Sequence, residues 1–151
     1  MSPETAGRTD PVLVDSAVPL YAVGERGAMQ RSCRTVLVAI AAGRLDAFAS
    51  VEMLQEFLFH RLRRTQDAAR SVAEARDLQA VLTVLDFDSA VLDASLALVE
   101  KVQTVRGRDA VHAATALVFG IPVIVTPDRA FDDVPGLRRL DPAEVAAQLT
   151  S

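Results

Sequence analysis

From Val12 onward, short, continuously apolar runs alternate with longer stretches in which apolar residues return every three or four positions. The first pattern predicts strands buried on both faces, the second amphipathic helices. Val12 to Val14 is the first strand. Residues near Met29 to Ala42, with Val36, Leu37, Ile40 and Ala41 at helical spacing, form a helix that Gly43 closes. Asp46 to Ala49 is a weaker strand. Ser50 caps a helix reaching about Thr65, with Leu54, Leu58 and Leu62 in register. A polar helix rich in Ala and Arg follows, roughly Gln66 to Ala80, and then a strand from Leu82 to Leu85. Asp88 or Ser89 opens a long helix carrying Val91, Leu92, Leu96, Leu98 and Val99. Past Gly107 come a helix from Arg108 to Phe119, a strand from Ile121 to Val125, a short strand near Leu137 to Leu140, and a helix from Pro142. This order predicts an α/β domain in which helices cover both faces of a parallel sheet.

Ligands of such sheets bind beyond the carboxyl ends of the strands. Two acids fall there. Asp15 directly follows VLV, and Asp128 follows IPVIV in the turn VTPDRAF. Parallel strands put both tips on one rim, so the two carboxylates can converge. Asp109 opens the helix RDAVHAATAL, where spacing stacks it with His112, Ala113 and Ala116. It either complements the helix dipole or faces a site kept roomy by the alanines. In SVEMLQEFLFH, Glu52 lies in the first helical turn, where the dipole favours an acid. Glu56 points away from the leucine stripe, as either a surface charge or a cleft wall. Acids sharing a cleft repel one another unless one is protonated or a divalent cation fills the centre. Carboxylate oxygens suit Mg²⁺ or Mn²⁺. One cysteine and two histidines far apart in sequence give no zinc pattern, and His60 and His112 are expected to be structural or exposed.

Composition refines this picture. At 151 residues, half of them apolar, the chain can build one core, expected over residues 12–150. Residues 1–11, MSPETAGRTDP, are expected to form a disordered tail without the apolar segment of a signal peptide. The single Cys33 points to a reducing compartment and a buried apolar role. The run AVHAATALVFGIPVIV is broken by His112, Gly120 and Pro122 and is too short to span a bilayer. A cytoplasmic protein is expected. The net charge of −4, with Lys101 the sole lysine, argues against a broadly basic nucleic-acid surface.

Four stretches, VLVDSAVPLYAV, SVEMLQEFLF, GRDAVHAATAL with FGIPVIV, and VTPDRAFDDVPGL, resemble in order and spacing a PIN-domain ribonuclease of the VapC type, the toxin of a toxin–antitoxin pair. The resemblance runs from Val12 to about Leu140. It implies a three-layer fold with a five-stranded parallel sheet. It also implies a metal site made by Asp15, Glu56, Asp109 and Asp128, supported by the polar side chains of Ser16 and Thr126. Many members carry a further acid two residues after the turn aspartate. Ala130 stands there instead; Asp132 or Asp133 is a candidate to stand in for it, the preferred reading being that both are solvated loop acids.

The activity implied is Mg²⁺- or Mn²⁺-dependent hydrolysis of RNA by water, leaving 5′-phosphate and 3′-hydroxyl ends. Backbone affinity would then come from arginines, with Arg61 and Arg64 in HRLRR and Arg106 and Arg108 beside Asp109 as candidates, unless these are simply solvated faces. The partners implied are an RNA substrate, a small VapB-type antitoxin and a second copy of the chain. Tyr21, Val36, Val38 and Ile40 are candidate contact surface for the antitoxin or a second copy, with core packing the preferred use of each one singly, and no membrane is involved. Haloacid-dehalogenase phosphatases need a second aspartate where Ala17 stands, and receiver domains need a strand-end lysine where Lys101 is helical. The remaining alternative is a catalytically degenerate PIN-like module that only binds RNA or protein.

Overall fold

The computed structural model describes residues 10–151, so most of the tail expected over residues 1–11 lies outside the described residues. Five strands and seven helices follow in the order β1 (Val12–Val14), α1 (Ala17–Ala22), α2 (Ala28–Ala41), β2 (Ala47–Ser50), α3 (Val51–Thr65), α4 (Ala68–Val81), β3 (Thr83–Leu85), α5 (Ser89–Lys101), α6 (Arg108–Val118), β4 (Val123–Val125), β5 (Arg138–Leu140) and α7 (Pro142–Thr150). A 3-10 turn, Arg129–Asp133, joins β4 to β5. Caps begin several helices: Ser50 Oγ accepts the Met53 N–H, and Asp67 and Asp88 do the same for α4 and α5.

All strand pairs are parallel, in the order β3-β2-β1-β4-β5. The β-branched runs occupy the middle: every residue of β1 and β4 is buried, while the edge strands β3 and β5 are partly exposed. β4 starts two residues later than the apolar run predicts, because Pro122 has no N–H for the ladder. Successive side chains along a strand serve opposite faces. Val12, Val14, Val123 and Val125 join Cys33, Val36, Ile40, Met53, Phe57 and Leu78 in one core layer. Leu13 and Ile124 join Val91, Leu98, Ala113, Ala116 and Phe131 in the other. This is the expected three-layer α/β sandwich.

One helical face differs from the predicted one, and another is resolved between the two uses expected of it. In α3 the buried stripe is Met53, Phe57 and Arg61, with Leu54 and Leu58 only partly covered and Leu62 exposed. In α2, Val36 and Ile40 are core residues and so are not contact surface, whereas Val38 is 69% exposed and Tyr21 of α1 48%. Cys33 is fully buried, and burial pushes its thiol up to about 12, which makes it unreactive at neutral pH. Among the described residues no helix is long and apolar enough to cross a membrane. The greasy run ending at Val125 resolves into α6, a turn and β4.

The strand order carries the functional consequence. The chain builds outward from β1 to β2 and β3, then returns to the other side of β1 for β4 and β5. The order therefore reverses between β1 and β4, and a crevice opens beyond their carboxyl ends.

Candidate metal centre

Asp15 leaves β1 at that reversal. Val14 pairs with Val125, and the Asp15 N–H bonds the Val125 carbonyl at 3.2 Å, so Asp15 lies beside Thr126 of the neighbouring strand end. Asp15 is only 4% exposed, and its carboxylate is held from two sides. The Ser16 N–H donates to Oδ1 at 2.8 Å, and the Thr126 hydroxyl donates to Oδ2 at 2.8 Å. Thr126 Oγ1 in turn accepts the Asp128 N–H at 3.1 Å, which ties the β4 turn to the same carboxylate.

Two helices bring further groups to this point. Gly107 starts α6 with φ 55° and ψ −125°, a conformation that glycine adopts readily, and Asp109 and His112 follow one turn apart. One ligand atom from each of Asp15, Asp109 and His112 lies within 4.8 Å of the others. Glu56 approaches from α3, and the Ser16 hydroxyl donates to its Oε1. Ser16 therefore holds Asp15 with its backbone and Glu56 with its side chain.

The electrostatics are those of an acid cluster awaiting positive charge. Burial raises Asp15 to about 6, opposed by the Thr126 hydrogen bond and reinforced by Glu56 and Asp128. Burial likewise raises Asp109 to about 6, with Asp15 adding repulsion. His112 is fully buried, and desolvation pushes it below the usual imidazole range, against the pull of Glu56 and Asp109. Its Nδ1 pairs with Ser50 Oγ at 2.7 Å, while Nε2 stands 3.7 Å from Asp15 Oδ1. Among the described residues, Nε2 is the buried side-chain polar atom without a hydrogen-bond partner. Such a group costs about 1–3 kcal/mol.

Of the residues singled out in the sequence, Asp15, Glu56, Asp109, Ser16 and Thr126 gather in this crevice. Asp128 stands at its rim, exposed, with Oδ1 accepting the Ala130 N–H at 2.9 Å; both Asp15 and Asp109 feel its charge. Asp132, a candidate for the role of the acid absent at Ala130, pairs with Arg139 at 2.7 Å. Arg139 also bonds the Thr126 carbonyl at 3.2 Å, so this pair buttresses the turn from outside. Arg61, expected as an RNA contact, is 6% exposed and committed to Glu74 of α4 at 2.6 Å. Arg64 is exposed along a groove of about 840 Å³ that Leu20, Val23, Arg26 and Arg63 also line. Arg108 sits at the mouth of the acid cluster, 3.9 Å from Glu52 and 3.8 Å from Glu56.

The orphaned Nε2 and the two raised carboxylates are what a divalent cation would relieve, and carboxylate-rich donors suit Mg²⁺ or Mn²⁺. The residues present fit such an ion. From the sequence His112 is expected to be structural or exposed and Ser50 a helix cap; the fold places the buried imidazole beside the acids, with the Ser50 hydroxyl behind it. The signal was present in the three-residue spacing from Asp109, but a single histidine at helical spacing does not distinguish core from site.

Residues 12–137 match the PIN domain family. Ribonuclease VapC7 of Mycobacterium tuberculosis is 32% identical over 127 residues, covering 82% of this chain and 86% of that protein. Among solved structures, DNA-bound VapBC from Salmonella typhimurium superposes with a TM-score of 0.69 at 20% identity, over 89% of this chain and 99% of that one. A toxin–antitoxin complex from Klebsiella pneumoniae gives 0.65 at 17% identity, over 87% and 97%. At these identities the two structures establish the fold alone. The sheet order, the match over most of the chain and the VapC7 likeness lead to one conclusion: the chain belongs to the PIN-domain family, among the VapC ribonucleases.

Proposed function

We propose that this protein is a divalent-cation-dependent endoribonuclease and the toxin of a toxin–antitoxin pair. The observation that carries the reading is the meeting of Asp15 and Asp109, brought from distant segments to one crevice and both raised to about 6. Asp15 and Asp109 hold the cation directly, and Glu56 and Asp128 complete its surroundings directly or through water. Bound there, Mg²⁺ or Mn²⁺ supplies an acidified water as nucleophile and neutralises charge building on the phosphodiester. Ala130, together with the engagement of Asp132 by Arg139, favours one cation over two.

The chain's own residues supply orientation. Ser16 and Thr126 fix both oxygens of Asp15, so the carboxylate meets an ion without reorganising. Arg108, half exposed beside the acids, is the first candidate for a phosphate contact, and Arg64 the second. The mild negative charge of the chain makes RNA binding depend on the cation as well as on these arginines.

The lone, buried Cys33 fits the reducing setting of a cytoplasm, and the Salmonella VapBC and Klebsiella toxin–antitoxin complexes support a small antitoxin of the VapB kind. Exposed Tyr21 and Val38, with the neighbouring groove, are its candidate docking surface. The exposed stripe Leu92, Leu96 and Val99 along α5 supports a homodimer.

The test is cleavage of RNA by purified protein. We expect cutting in Mg²⁺ or Mn²⁺, none in excess chelator, and a loss on the order of a hundredfold or more in Asp15→Asn. Product ends are expected to be 5′-phosphate and 3′-hydroxyl. Cleavage indifferent to chelator and to that substitution contradicts the reading, and RNA bound but never cut favours a degenerate binding module.

A further inference from the structure

We propose that His112 is a direct nitrogen ligand of the cation held by Asp15 and Asp109, and that this donor makes the centre prefer Mn²⁺ to Mg²⁺. The inference rests on the reading of the acid cluster as a cation site and adds a donor of a different chemical kind.

The geometry begins with the imidazole's other edge. His112 Nδ1 lies 2.7 Å from Ser50 Oγ, and that oxygen already accepts the Met53 N–H at 3.0 Å as the cap of α3. Ser50 is thereby fixed in place and keeps a lone pair for Nδ1–H, the tautomer that the proposal requires. A histidine that donates from Nδ1 carries its free lone pair on Nε2. That atom points into the cluster, buried and without a hydrogen-bond partner.

Nε2 stands 3.7 Å from Asp15 Oδ1, too far for a hydrogen bond. The distance falls between those of adjacent and opposite donors on one ion, about 3 Å and 4.3 Å for bonds of about 2.0–2.2 Å, so a side-chain shift of roughly 0.7 Å brings both atoms onto it. The 4.8 Å limit on the set formed with Asp109 accommodates the same arrangement.

A purely structural histidine gives a poorer explanation. Buried polar atoms are nearly always paired, and a histidine kept for packing would have both nitrogens satisfied or be replaced by an apolar residue. Magnesium prefers all-oxygen surroundings, whereas imidazole suits later first-row metals, so a nitrogen in the set shifts preference toward Mn²⁺.

The test reads the metal's neighbours and not its catalysis. Full-length protein stripped with chelator is titrated with Mn²⁺ alone and followed by electron paramagnetic resonance. Electron spin echo modulation of bound Mn²⁺ is expected to show nitrogen coupling that changes on ¹⁵N-histidine labelling. The coupling should persist in His60→Gln and disappear in His112→Gln. Mn²⁺ affinity should fall on the order of tenfold or more in His112→Gln, with Mg²⁺ affinity falling much less. Absence of nitrogen coupling in the wild type decides against the idea whatever the variants do, and coupling that survives in His112→Gln overturns it as well. Mn²⁺ bound without nitrogen coupling overturns the proposal and leaves the acid site standing. No Mn²⁺ bound at all overturns the acid site, and this proposal with it.

Discussion

Asp15 and Asp109 carry their charge where water is scarce, and the cost should be visible in the metal-free protein. Each has an ordinary value of 3.8 and is raised to about 6 in the fold. A carboxyl raised on folding gives its full stabilisation below its unfolded value and loses it as pH rises through the folded one. The window is therefore about pH 4 to 6. For Asp15, buried throughout, the loss is on the order of 2–3 kcal/mol. Glu74 works in the opposite direction, since Arg61 lowers it and its contribution fades as pH falls. In chelator, stability should peak in the acid range and decline toward pH 7.5. Asp109→Asn removes one of the repelling charges without deleting a side-chain hydrogen bond of the cluster. It should raise metal-free stability at pH 7.5 by about 1–2 kcal/mol in denaturant melts and flatten the decline. A variant equal to or weaker than wild type at pH 7.5 contradicts this. At this scale Asp15 was legible in the sequence, because an acid at the tip of a fully apolar strand has few structural uses. The spacing around Asp109 left a helix-dipole role equally open, and only the family resemblance pointed to a site. His112 was not legible, because what distinguishes it is a missing partner for one nitrogen, a property of three-dimensional neighbours.

In α3, two stripes have helical spacing. Leu54, Leu58 and Leu62 form the more apolar one and were predicted to face the core, yet Met53, Phe57 and Arg61 are the buried set. The apolar stripe fails as a guide because Arg61 is made acceptable inside by Glu74, which arrives from α4 with two hydrogen bonds of 2.6 and 3.1 Å. No local pattern announces a partner from another helix. The burial of Met53 and Phe57 also sets the angle of α3, and with it the approach of Glu56 to Ser16. Arg61→Ala should therefore act through structure: a stability loss of about 2 kcal/mol in urea melts, with RNA affinity of the folded protein unchanged. Weakened RNA binding at full stability would return Arg61 to the interface. Element order was readable throughout because strands and helices differ in period. The ends were less so, since a feature such as the missing donor of Pro122 acts on the ladder and not on hydropathy.

For the whole molecule, the reversal between β1 and β4 brings Asp15, Thr126 and Asp128 to one rim, while α3 and α6 add Glu56 and Asp109. That convergence was legible because parallel strands end on one side. The turn after β4 was less so, since pairing of Asp132 with Arg139 of β5 depends on a strand whose side chains are half covered. A cation bound by the folded state alone must stabilise it by mass action. At a hundredfold excess over its dissociation constant, Mn²⁺ should add about 2.7 kcal/mol, or roughly 5–10 °C in melting temperature for a chain of this size. Asp15→Asn should lose most of that gain. An equal gain in the variant would place the ion elsewhere. The most direct test is anomalous diffraction from crystals soaked in Mn²⁺. The expected peak lies about 2.0–2.3 Å from carboxylate oxygens of both Asp15 and Asp109; a strong peak away from them, or none at saturating Mn²⁺, contradicts the convergence of these acids on one cation.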